Sequence, residues 1–149
     1  MRILISGCLL GICCRYDGAS KPHPLALKLA ENHELVPVCP EQLGGLPTPR
    51  PPAERQGDQI LAKTGLDVTE QYRRGAEETL KLCRLLNCEA AVLKERSPSC
   101  GSGEIYDGTF TGTLISGNGV TAELLKGSGI PVYGESGIPE LLKESGERR

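Results

Sequence analysis

Cysteine is the residue type in this chain with the most chemistry to offer. Seven are present, at positions 8, 13, 14, 39, 83, 88 and 100, beside one Met and two His. An odd set, at roughly 5% of the chain, is well below the density of small disulfide scaffolds. Free thiols in a reducing compartment are therefore expected, serving as core hydrophobes, metal ligands or nucleophiles. Cys83 falls on the apolar stripe of a helical pattern, and Cys88 follows the Asn87 that ends it. Both read as packing residues. Cys8, Cys39 and Cys100 instead stand in Gly-, Pro- and Ser-rich loops, each just after a short apolar run.

Soft thiolates select zinc or an iron-sulfur cluster. A structural zinc is closed by four ligands, commonly in tight C-x2-C pairs, and no such pair is present. Three cysteines from distant parts of the chain describe a metal centre with one position left open. Cys13 and Cys14 lie close to Cys8 in sequence, and either one fits a fourth ligand, a redox thiol or a bystander.

Groups that handle protons and anions accompany the three loops. Glu41 follows Cys39 by two residues, on a Pro40 turn that brings a general acid/base toward the same place. Ser99-Cys100-Gly101-Ser102-Gly103 offers hydroxyls and flexible backbone suited to an anion-binding nest. Arg15, Lys21, Arg50, Lys94 and Arg96 fall in the same loops and suit a phosphate or a polar heterocycle. His23 and His33 lie in or beside the first helical pattern, read as surface residues, and leave a cysteine nucleophile without an obvious base. No P-loop, G-x-G-x-x-G or haem-attachment motif is present.

The elements that must position these residues alternate in type. Residues 2–6, 35–38, 89–94 and 130–133 read as buried strands, with Pro37 placing the second at an edge. Helical spacing covers 25–31, a long segment with Asp67 and Glu70 as a capping box, 119–126, and about 139–144. The five prolines of 40–54 predict a stiff extended loop, and 59–62 one arm of a small hairpin. Residues 97–118 show no periodicity. Strand and helix in alternation imply a small, doubly wound, Rossmann-like α/β sheet of about four mostly parallel strands with helices on both faces. The carboxyl ends of such strands share one edge, the edge where α/β proteins bind ligands, so Cys8, Cys39 and Cys100 are expected to meet there.

Composition bounds the rest. The chain has 149 residues, 38% hydrophobic and 24% charged, with a formal charge of -2, which suits one domain over 1–149 with a polar end from about 136. One Phe, four Tyr and no Trp, on a slightly acidic chain, leave no footprint for duplex nucleic acid. Nothing resembles a membrane span or secretion signal, so a cytoplasmic protein acting on a small molecule is expected.

Three motifs in order, 6–18 (SGCLLGICCRYDG), 37–41 (PVCPE) with 44–50 (GGLPTPR), and 94–101 (KERSPSCG) followed by 105–108 (IYDG), resemble a bacterial and archaeal family long treated as a domain of unknown function. Its characterised members are thiouracil desulfidases. The resemblance covers about residues 1–133 and implies that Cys8, Cys39 and Cys100 hold a [4Fe-4S] cluster whose fourth iron has no protein ligand. It further implies a thiolated pyrimidine or its nucleotide as substrate, with uracil and hydrosulfide formed without net redox change. Glu41 then activates water or protonates, and Ser99 or Ser97 assists by hydrogen bonding; from the composition of the loops themselves, Arg15, Gly101 and Ser102 are expected to contact substrate. Some members carry an apolar residue in place of Cys14, so Cys14 is not counted as a ligand. Two alternatives stand beside this: a non-enzymatic zinc-binding domain using Cys8, Cys14, Cys39 and Cys100, and a metal-free thiol enzyme using Cys13 or Cys14.

Overall fold

A computed structural model describes residues 1–147, with side chains to residue 143. Four short apolar runs form a parallel sheet: β1 (Arg2–Ser6), β2 (Glu34–Val38), β5 (Ala90–Leu93) and β8 (Val132–Gly134), in the spatial order β2-β1-β5-β8. Ile3 pairs with both Leu35 and Ala90, and Ala91 with Val132. Side chains alternate across this sheet, and each face finds its own helices. Ile3, Ile5 and Val92 pack against Ala26 and Leu29 of α1 (Pro24–Leu29) and Ile138 and Leu141 of α5 (Ile138–Glu147). Leu4, Ala91 and Leu93 pack against Cys83 of α3 (Thr69–Leu85) and Ala122 and Leu125 of α4 (Val120–Gly127). The doubly wound expectation holds, and Pro37 lies on the edge strand as expected. Each fully buried Leu or Ile contributes about 1.5–3 kcal/mol to holding these layers together.

Several local expectations need correction. The proline-rich stretch is not all extended: Pro40 opens a helical turn, α2 (Pro40–Leu43), because the first helical position needs no backbone N–H. Its far end enters the hairpin β3 (Ala53–Gln56) and β4 (Gln59–Ala62), so 59–62 is a hairpin arm as anticipated. The aperiodic 97–118 segment holds a second hairpin, β6 (Glu104–Tyr106) with β7 (Leu114–Ser116). No capping box forms on α3. Asp67 caps from one residue further out, its Oδ1 accepting from the Thr69 N–H and hydroxyl (2.9 and 2.5 Å), while Glu70 pairs with Arg73. These two bonds hold the Asp67 carboxyl below its usual pKa. His23 is half-buried, and its ring nitrogen caps α1 at the Leu25 N–H. Asn87 is left-handed (φ 54°), as the end of α3 requires.

The contact between α2 and α3 matters most for the site. Gly44 and Gly75 face each other so closely that a Cβ on either would meet the opposing backbone oxygen, of Gln71 or Pro40, at 1.9 Å. Only a glycine pair lets α2 lie this near α3, which brings Glu41 to Tyr72.

Candidate functional site

The strand order reverses direction between β1 and β5, and a cavity of about 630 Å³ opens beyond their carboxyl ends. Such a switch point is where an open α/β sheet leaves a crevice. Cys8, Cys39 and Cys100 all line it, together with Cys14, Arg15, Glu41 and Ser97. Cys8 sits on the 3-10 turn Gly7–Leu10 that follows β1, Cys39 between β2 and α2, and Cys100 in the loop after β5. All seven cysteines are free thiols. Cys83 is buried in the core on the inner face of α3 and Cys88 packs against that cluster, whereas Cys13 is exposed.

Cys8, Cys14 and Cys39 form a hydrogen-bonded series, and the Cys39 thiol also donates to the Cys14 carbonyl at 3.6 Å. Cys14 bonds to Cys8 and lowers the Cys8 pKa, an effect that outweighs burial and that nearby Lys94 reinforces. Cys14 itself is lowered by its bond with Cys39 but raised more in sum by its bond to Cys8 and by burial. Cys39 is raised by its bond to Cys14 and by burial. Cys100, buried, is pushed up to about 12 by desolvation, although the Ser6 hydroxyl donates to its sulfur at 3.6 Å. Arg50 stands 3.9 Å from the Cys39 sulfur and donates to the Cys14 carbonyl at 2.9 Å.

Glu41 is locked in place. Its Oε1 accepts from the Tyr72 hydroxyl at 2.6 Å and the Arg50 Nε at 3.1 Å, so both bonds fall on one oxygen. Burial and the adjacent carboxylate drive the Tyr72 pKa upward, which keeps its proton on the phenol. Arg50, with only 3% of its side chain exposed, is held by the Pro47 carbonyl and Thr48 hydroxyl (3.2 and 2.9 Å). Burial would depress its pKa, and Glu41 more than offsets that. Arg50 was visible in the sequence only as a loop cation, and Tyr72 gave no sign there of a polar role. Pairing of residues 31 apart in the chain has no local signature.

The serines and the proposed substrate contacts divide. Ser97 lines the cavity, and its hydroxyl accepts from the Ser99 and Cys100 N–H groups at 3.1 and 2.8 Å, fixing the loop that carries Cys100. Ser99 is fully buried with its hydroxyl on Thr121 at 2.8 Å, near the Cys100 sulfur but off the cavity wall. Gly101 is also off the wall. A Cβ there would meet the Ser97 carbonyl at 2.7 Å, so close packing explains the glycine. Ser102 lines a separate small depression with Arg96 and Glu104. Among the expected substrate contacts, Arg15 alone reaches the main cavity, where Lys21, Lys63, Lys94 and Arg96 join it. Lys94 pairs with Glu135 at 2.7 Å.

Whether this donor set suits a cluster follows from its chemistry. Among the described residues no three His, Cys, Asp or Glu side chains are arranged to hold a single metal ion. A four-iron cluster asks for something different, since each thiolate binds its own iron and the thiolates need only border one cavity. Three thiols from three strand ends, with Arg50, Lys94 and Ser6 beside their sulfurs, meet that demand, because cations and hydrogen-bond donors favour thiolates.

A family model described as 2-thiouracil desulfurase matches residues 3–137. YbbK of Bacillus subtilis (strain 168), described as an uncharacterized protein, is 46% identical over 150 residues, covering 94% of this chain and 99% of that relative. The solved structure of the [4Fe-4S]-dependent thiouracil desulfidase TudS is 49% identical, with a TM-score of 0.89 over 96% of both chains. On sequence and fold together, the chain belongs to the 2-thiouracil desulfurase family.

Proposed function

We infer that this protein is a [4Fe-4S]-dependent thiouracil desulfidase, which exchanges the sulfur of a thiolated pyrimidine for a water oxygen and releases hydrosulfide. The observation that carries the reading is the convergence of Cys8, Cys39 and Cys100 on one cavity beside the clamped Glu41. Family membership supports the same activity.

In this assignment Cys8, Cys39 and Cys100 are the ligands. Bound there, the cluster supplies an iron without a protein ligand, a Lewis acid for the thiocarbonyl sulfur. The exchange breaks one carbon-sulfur linkage and forms one carbon-oxygen linkage, and no net electrons move. Water must lose protons and sulfur must leave as hydrosulfide, so one group has to accept and return a proton. Glu41 is that group. Tyr72 and Arg50 occupy Oε1 and so leave Oε2 to hold the proton. Ser97 orients the Cys100 loop, and Ser99 supports it through Thr121. Arg15, Lys21, Lys63 and Arg96 line the mouth without an ion-pair partner among the described residues and favour an anionic substrate such as a nucleotide. No described helix is long and apolar enough to cross a membrane; free thiols and an oxygen-sensitive cofactor suit the cytoplasm.

Anaerobically reconstituted protein should release hydrosulfide and uracil in equal amounts from 2- or 4-thiouracil or the corresponding nucleotide. Failure with every one of them would overturn the activity. Cys14 borders the same cavity, but no three of these thiols are arranged around a single ion among the described residues, which disfavours a closed four-thiolate zinc site; one zinc per chain with no labile sulfide would reverse that.

A further inference from the structure

The chain has five aromatic residues, one Phe and four Tyr, and four of them, Tyr16, Tyr72, Tyr106 and Phe110, line the cavity. Tyr72 is committed to Glu41, and Tyr16 lies under the Arg15 guanidinium at 5.7 Å. Phe110 has no such employment. It occupies the tip of the loop between β6 and β7, belongs to none of the apolar core clusters, and is only half-buried.

Its backbone is nevertheless held in an unfavourable state. Phe110 is left-handed, at φ 58°, a conformation that a bulky L-residue adopts at a cost. Glycine would satisfy that backbone without strain. The loop is forced into shape from outside: Glu54 of β3 accepts with one oxygen from the Gly108 and Phe110 N–H groups (3.0 and 3.1 Å), and Gln56 donates to the Gly108 carbonyl at 3.3 Å. Gly108 and Gly112, at φ 95° and 77°, supply the bends on either side. Asp107 closes the turn through the Thr109 N–H and hydroxyl at 2.9 and 2.6 Å. One hairpin therefore pins the other so that the ring of a residue with a strained backbone lines the cavity and joins no core cluster. Strain maintained by surrounding contacts at a cavity wall points to a ligand.

We propose that Phe110 is the stacking platform for the pyrimidine ring, held over the cavity mouth by Glu54 and separate from the thiols and from Glu41. The inference rests on the desulfidase reading and adds to it the residue that recognises a planar heterocycle. A ring face binds any base of suitable size, so Phe110 sets affinity for the flat ring while the groups deeper in the cavity act on the sulfur.

Phe110 is the sole Phe, so reconstituted protein grown with 4-fluorophenylalanine gives one fluorine resonance from this site. Titration with uracil, which is not turned over, should move that resonance saturably, and thioacetamide, which has no aromatic face, should not. In parallel, Phe110→Gly should raise KM for 4-thiouracil about tenfold, the order expected for losing one aromatic stack on a base. Its kcat, iron content and melting temperature should not fall, since glycine accepts the left-handed backbone, and Phe110→Tyr should restore KM. A resonance indifferent to uracil, or a wild-type KM in Phe110→Gly, overturns the platform. The two readings fail differently. A uracil-responsive resonance in protein that releases no hydrosulfide keeps the platform and removes the reaction, whereas full turnover with an unresponsive resonance removes the platform alone.

Discussion

Two cysteines a short distance apart in the fold show what separates the two halves of this molecule. Cys83 lies on the buried face of α3 among Leu4, Leu93 and Leu125, with its thiol on the Cys88 carbonyl at 3.8 Å and its pKa pushed up to about 11, chiefly by burial. Cys100 belongs to the same apolar cluster and is as deeply buried, yet its sulfur borders the cavity and receives the Ser6 hydroxyl. Burial is shared, so burial does not distinguish a packing thiol from a working one. Position along the sheet does. Cys83 packs against the sheet's flank, where every neighbour is satisfied, and Cys100 stands at the carboxyl edge, where loops from three strands leave a gap for a ligand.

The sharpest test of that division is at the edge. Glu41→Gln keeps the size and much of the hydrogen bonding of the side chain but removes its proton exchange. Hydrosulfide release should fall by about 10²–10⁴-fold, the usual worth of a general acid/base, with iron content near wild type and a lower denaturant midpoint, because buried Arg50 loses its counter-charge. A Glu41→Gln enzyme with near-normal kcat would return Glu41 to the status of a structural partner of Arg50. A smaller effect of opposite kind is expected on the flank. Cys83→Ala deletes one buried atom from a packed cluster and should cost about 1 kcal/mol in urea unfolding, with iron loading and turnover preserved. Loss of iron in Cys83→Ala would erase the contrast.

Much of this was legible in the chain because the signals are local. Residues 2–6 and 89–94 are apolar runs that end abruptly at Gly7 and at Lys94, and the loops after them had to share one edge once the strands were parallel. The strand ends thereby put Cys8, Cys39 and Cys100 around one cavity. Contacts between residues distant in sequence leave no such local signal. The β6–β7 hairpin has little periodicity because only Ile105 in β6 is buried and β7 is mostly exposed, so Glu54 and the Gly-rich turns shape its loop more than hydrophobic pattern does. Tyr72 reads as a core position of α3, and only the Gly44–Gly75 approach brings it to Glu41. Gly101 and Ser102 suggested an anion nest by composition, whereas the backbone turns them toward packing and a lesser depression.

Quantification of iron and acid-labile sulfide in anaerobically reconstituted wild-type protein and in Cys100→Ala decides whether the three strand-end thiols hold a cluster. About four irons and four sulfides per chain are expected for wild type, with absorbance near 400 nm standing out because the chain has no Trp. Cys100→Ala should lose most of both and all turnover. Full iron, sulfide and hydrosulfide release in Cys100→Ala would place the chemistry somewhere other than the edge where the three strands end.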